Sequence, residues 1–211
     1  MNRDVGDRQG YPARDENAKA YPVSDGEEFT DAVICGRSAF NSLEKTEIAN
    51  ITAGEEVGFK SISMEELYGA SSAGGDVQYY HPGPGSIWLS RAPGDDLKSY
   101  EGDGDWFKIA YAGPKSDTEW ELYNKSKVSS PGHSRHVLLC PDHAKYTVAI
   151  PKTTPPGKYL LRFEQFMPTP TFNYSQWYVN CALVDIKGPG GGTPAGFARL
   201  PGAYKPDDIG K

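Results

Sequence analysis

Apolar and polar residues alternate over short stretches of this chain, and Gly or Pro punctuates most of the stretches. From Ala49 to Lys60 the positions Ile51, Val57 and Phe59 are spaced for half-buried strands, with a turn at Gly54 between them. Ser86 to Ser90 reads as a strand. Trp106 to Tyr111 reads as another, entered from the turn Gly102-Asp103-Gly104-Asp105. Lys145 to Pro151 alternates and is stopped by its proline. After the turn Thr154-Pro155-Pro156-Gly157 come the two longest strand signals, Lys158 to Phe166 and Gln176 to Lys187. Phe29 to Cys35 is a shorter β-prone run. The helical pattern from Ser63 to Gly69 is short, with Ser63 and Glu66 spaced as a capping box and Gly69 placed as its stop. Residues 1–28 are polar and irregular, and the Gly/Pro-rich tail 188–211 predicts a loop. No internal repeat is visible. Strands at this spacing, without helices between them, predict a single all-β sandwich domain over 1–211 with long loops and little helix.

Composition agrees with this reading. The 211 residues fit one domain, and 24 Gly with 17 Pro predict frequent turns. The net charge of −6 argues against a nucleic-acid surface, which needs clustered Lys and Arg. No apolar run approaches the roughly 18 residues of a membrane span. Met1 to Lys19 is polar and lacks the apolar core of a secretory signal. Cys35, Cys140 and Cys181 give one disulfide and one odd thiol as the simplest arrangement, with the pairing left open. The sequons at Asn50, Asn124 and Asn173 lend weak support to a secreted history.

Three groups of residues carry candidate chemistry. Along the last strand, period two puts Gln176 and Tyr178 on one face and Trp177, Val179 and Cys181 on the other, which reads as core. The Gln/Tyr pair is either a polar site or an ordinary edge with a hydrogen-bonded tyrosine. His81 sits in His-Pro-Gly-Pro-Gly, a turn stiff enough to hold an imidazole as a ligand or simply to end a loop. His133, His136, Cys140 and His143 have the residue types of a zinc site but lack its paired spacing; the alternative is a polar loop running into a buried Cys140. Carboxylates such as Asp103 and Asp105 are scattered, and no closing Glu completes a calcium loop.

Several segments, taken in order, give a more specific reading. They are Phe29-Thr30-Asp31 ahead of Cys35, Ala53-Gly54 before Val57-Gly58-Phe59, His81-Pro82-Gly83-Pro84, and Gly104-Asp105-Trp106-Phe107-Lys108-Ile109. Ile150-Pro151 then leads to Pro156 through Glu164, Gln176-Trp177-Tyr178 leads to Cys181, and Leu200 to Lys205 closes the set. In this order they resemble the fungal lytic polysaccharide monooxygenases of auxiliary activity family 9, formerly glycoside hydrolase family 61, over nearly the whole chain. The resemblance implies an immunoglobulin-like or fibronectin-III-like β-sandwich whose flat face lies on cellulose or related β-1,4-glucans. It implies one copper ion held by a brace of two histidines, an external electron donor, a secreted monomer, and hydrogen abstraction at C1 or C4 of a glucosyl unit. Carried over by position, His81 matches the second brace histidine and Tyr178 the axial tyrosine. Gln176 matches the glutamine that orients oxygen species, and Tyr204 a ring that stacks on sugar. Cys35 and Cys181 match the family's long-range disulfide. Two departures stand out. Thr169 occupies the position of a histidine of the oxygen pocket. Asn2 to Arg14 matches the stretch after the first strand, so the other brace histidine and the signal peptide are expected upstream of Met1. The alternative from a different functional class is a polysaccharide-binding or structural sandwich without redox activity.

Overall fold

A computed structural model of the chain describes residues 29–60, 79, 81–123, 145–170 and 175–205. Its strands are β1 (Ile48–Thr52), β2 (Glu56–Lys60), β3 (Gly85–Arg91), β4 (Trp106–Ala112), β5 (Pro114–Ser116), β6 (Glu119–Trp120), β7 (Lys145–Ala149), β8 (Gly157–Met167) and β9 (Gln176–Lys187). A single helical turn, α1, covers Ala32–Cys35, and short 3₁₀ turns lie at Ala39–Ser42 and Pro93–Asp95. Among the described residues no helix is long and apolar enough to cross a membrane.

The main sheet has the order β1-β9-β8-β3-β4, with β1 parallel to β9 and the other neighbours antiparallel. The two long strands pair without interruption from Gly157↔Ile186 to Met167↔Gln176. A second layer is the antiparallel pair β2–β7, and β5–β6 is a small separate hairpin. The alternating run Ala49 to Lys60 is divided at Gly54, whose φ of 100° is open to glycine and strained for other residues. The division sends β1 to one sheet and β2 to the other, so this turn is a corner of the sandwich.

Both faces of the middle of β8 and β9 are covered, which is why Tyr159-Leu160-Leu161 and Cys181-Ala182-Leu183-Val184 read as unbroken apolar runs. On one face Trp177, Val179, Cys181, Leu183 and Leu160 pack with Val33, Ile34 and Leu200. On the other, Tyr159, Leu161, Phe163, Ala182, Val184 and Ile186 pack beneath β2 and β7 through Tyr146, Val57 and Phe59. Trp106, Ile87, Leu89 and Ile186 are fully buried.

One expectation is corrected. Phe29 to Cys35 is not a strand: Ala32–Cys35 closes one helical turn, ended by Gly36 at φ 101°. Its β-branched residues favour extension locally, but tertiary contacts override them. The carbonyls of Val33 and Ile34 accept hydrogen bonds from Arg162 at 2.8 and 2.7 Å, and Cys35 is bonded to Cys181. The helical pattern from Ser63 to Gly69 lies outside the described residues. So do the histidine cluster His133 to His143 with Cys140, and the sequons at Asn124 and Asn173.

Candidate functional site

The site forms where β8 ends and β9 begins. The turn carrying His81 is pressed against the end of β8, since a Cβ at Gly83 would meet the Phe166 carbonyl oxygen at 1.8 Å. Only glycine fits there. Phe166 N–H donates to the Pro84 carbonyl at 2.9 Å, and the Gln165 side-chain amide donates to the His81 carbonyl at 2.7 Å. The backbone around His81 is thus fixed from two sides before its ring makes any contact.

The His81 and Tyr178 rings stack with centroids 5.1 Å apart and planes 17° from parallel. Tyr178 donates its phenol proton to Gln176 Oε1 at 2.6 Å. His81, Tyr178 and Gln176 therefore converge on one face of the sheet, Tyr178 directly across from Gln165. Gln165 is the residue the sequence reading passed over. It is 3% exposed and stands in the run Leu160 to Met167, whose other polar side chains are the charged Arg162 and Glu164. Its role depends on a partner 84 positions away, so no local pattern announces it.

The opposite face of the same strand end is structural support. Trp177 is 2% exposed and packs at a tilt against Phe166, with ring centroids 4.9 Å apart, and against Tyr204, at 5.4 Å. The Tyr204 hydroxyl donates to Glu164. Tyr204 is thus placed behind β9, on the Trp177 side, and is not brought together with His81 and Tyr178. Burial, reinforced by the Glu164 carboxylate, pushes its phenol well above the ordinary tyrosine range, so it stays a proton donor. Arg162 completes this buried group, donating to Glu164 Oε2 at 2.6 Å. Thr169, just past β8, donates its backbone N–H to Ser175 Oγ at 3.2 Å, closing the crossing from β8 to β9. Cys35 and Cys181 form a disulfide with Cα atoms 5.2 Å apart, tying α1 to β9.

An imidazole nitrogen is a donor that suits copper, zinc, iron or nickel. Partial burial also lowers the His81 pKa below its usual 6.5, favouring the neutral ring that can ligate a metal. Among the described residues, no group of three or more His, Cys, Asp or Glu is assembled. The lowered pKa has a consequence for stability. The folded ring binds fewer protons than the unfolded one, so its contribution is complete above about pH 6.5 and lost as pH falls through the lowered value. Denaturation midpoints measured from about pH 7.5 to 5 are expected to fall less steeply for His81→Gln than for the unsubstituted protein. Equal slopes would show that this ring does not contribute.

A two-layer β-sandwich tied by a long-range disulfide, with His, Tyr and Gln gathered at one end of its main sheet, defines the structural class. Comparison with known proteins then gives the family. The sequence model of Auxiliary Activity family 9 (formerly GH61) matches residues 5–211, and the chain belongs to this family. It is 54% identical over 179 residues to AA9 family lytic polysaccharide monooxygenase U of Thermothielavioides terrestris, covering 84% of this chain and 59% of that protein. It is 33% identical over 202 residues to monooxygenase G of the same family from Aspergillus tamarii, covering 92% of this chain and 52% of that protein. The chain therefore spans between half and three fifths of the length of these curated relatives. Among solved structures, the extended catalytic domain of H. jecorina LPMO9A superposes with a TM-score of 0.70 at 22% identity, over 97% of this chain and 69% of that one. HiLPMO9B superposes with a TM-score of 0.64 at 22% identity, over 91% and 74%. These likenesses show the immunoglobulin-like β-sandwich fold.

Proposed function

We propose that this chain forms one catalytic domain of a secreted, monomeric copper monooxygenase that cleaves β-1,4-glucan oxidatively, using electrons from an external donor. The observation that carries the reading is the stacked pair His81–Tyr178, with Tyr178 hydrogen-bonded to Gln176. His81 would hold the metal through its imidazole, and the Tyr178 phenol oxygen would be a further ligand. When bound, copper supplies the one-electron chemistry that activates O₂ or H₂O₂ for hydrogen abstraction at a glucosyl carbon. The protein groups do the rest. The rigid turn at Gly83 and the Gln165 bond hold the imidazole in place. Gln176 accepts the Tyr178 proton through Oε1, which orients its amide group and leaves the N–H donors for a second partner. Such outer hydrogen bonds tune both ligand orientation and metal affinity.

Calorimetric titration with Cu(II) tests this. One ion per chain is expected to bind the natural protein, with binding weakened at least tenfold in His81→Ala. Equal affinity in the two proteins would refute the assignment of His81. A second reading, a glucan-binding sandwich without redox activity, is favoured by Thr169 at the position where the family resemblance places a histidine. Oxidised oligosaccharides released from cellulose in the presence of copper and a reductant separate the two readings, because binding alone releases none.

A further inference from the structure

We infer that Asn50 is a site of N-linked glycosylation, and that its oligosaccharide covers the β1 edge of the main sheet. The inference rests on the secreted reading above, because the modification requires passage through a secretory pathway. The sequon Asn50-Ile51-Thr52 lies within β1 (Ile48–Thr52), and its middle residue is not proline. Strand periodicity places the sequon's two chemical residues together. Ala49 and Ile51 pack against the core beneath β2 and β7, while Ile48 packs on the opposite face. Asn50 and Thr52 share the face of Ile48, and both are exposed. Ile51 thus anchors the segment inward while the amide and the hydroxyl face solvent. Their cross-strand neighbours on that face, Asp185 and Lys187, form an exposed ion pair at 2.7 Å rather than an apolar cover.

Position along the sheet decides whether a bulky glycan is compatible with function. Asn50 stands opposite Asp185, seven positions along β9 from Tyr178, roughly 24 Å at about 3.4 Å per residue. A glycan there is at the far end of the sandwich from the His81–Tyr178 pair and leaves that face open. Among the described residues β1 is the last strand of the sheet. An unpaired strand edge is a template for pairing with another chain, and a bulky polar group blocks it. In the reaction, Asn50 Nδ2 bonds to C1 of the first N-acetylglucosamine. The bond from C1 to the diphosphate oxygen of a polyprenyl-diphosphate oligosaccharide breaks, polyprenyl diphosphate leaves, and one amide proton passes to a base of the transferase. Nothing is oxidised or reduced.

The test is to express the whole chain in yeast behind a heterologous secretory leader, with a reporter sequon fused after Lys211, and map peptides from the medium by mass spectrometry. The Asn50 peptide is expected to carry a glycan in the natural sequence and in Thr52→Ser, and to lose it in Thr52→Ala. Both variants keep the turn bond from the Thr52 backbone N–H to Glu55 Oε2, 2.7 Å, since the side chain takes no part in it. An unmodified Asn50 in secreted protein whose reporter sequon is occupied would overturn the inference. Occupancy is read from the peptide, so a chain that binds no copper still gives an answer.

Discussion

Arg162→Ala is expected to lower folding stability by about 3–5 kcal/mol, as loss of one partner of a buried ion pair does. Arg162 has no exposed surface, and Glu164 is 6% exposed. The guanidinium does three jobs from one position. Its Nε donates to the Ile34 carbonyl at 2.7 Å, and its Nη2 donates to the Val33 carbonyl at 2.8 Å and to Glu164 Oε2 at 2.6 Å. Alanine would leave a carboxylate in the core with only the Tyr204 hydroxyl for company, and two helical carbonyls short of a donor. Each stranded group carries its own desolvation cost. The contrast is the triple variant Arg162→Met, Glu164→Leu, Tyr204→Phe, which removes the charges and the hydroxyl together. It is expected to lie much closer to the unsubstituted protein than Arg162→Ala does, because no ion is left unpaired. Urea unfolding of both variants measures the difference. A loss under about 1 kcal/mol for Arg162→Ala would mean that the pair behaves like a surface salt bridge and that this core admits water.

The same group of residues shows how far the fold can be read in the chain. Pro and Gly punctuation and period-two alternation marked the strands other than the short β5–β6 hairpin, and β9 runs over the same residues, Gln176–Lys187, that its pattern delimited. Alternation along β9 also separates Trp177, Val179 and Cys181, which join a core, from Tyr178, which stacks on His81, and Gln176, which is bonded to Tyr178. These are local properties. What stayed hidden needed partners from far along the chain. Val33 and Ile34 look like strand residues because nothing nearby reveals that Arg162, 128 or more positions on, will take their carbonyls. Tyr204 belongs to a loop with no periodicity, and its placement behind Trp177 is set by Glu164. Gln165 is a buried amide whose purpose appears only when the His81 turn folds against it. The turn and the strand by themselves left open whether His81 meets Tyr178, the family resemblance supplied that pairing, and the side chains that hold the candidate site rigid were legible in neither.

Cys181→Ala is expected to cost about 2–5 kcal/mol, the usual range for a native disulfide. Chain entropy puts the limit near the top of that range. A bridge spanning 146 positions restricts the unfolded chain by about 5 kcal/mol on the loop-closure formula, and residual structure in the unfolded chain reduces it. The loss also includes a small cavity, because Cys35 and Cys181 are 2% and 9% exposed in the core under α1. Cys35→Ala and the double variant are expected to match Cys181→Ala closely, since all three lack the same bond. An unfolding midpoint unchanged by Cys181→Ala would deny the bridge any stabilising part. The bridge and the guanidinium also hold the same object: α1 is anchored through Cys35 on one side and through the Val33 and Ile34 carbonyls on the other. Once either anchor is gone, part of the strain of losing the second can be relieved by movement of α1. Arg162→Ala is therefore expected to cost less in the Cys181→Ala background than alone, with a coupling of about 0.5–3 kcal/mol in a double-mutant cycle. Strict additivity would show that α1 stays in place without its disulfide, held by the packing of Val33 and Ile34 against β8 and β9.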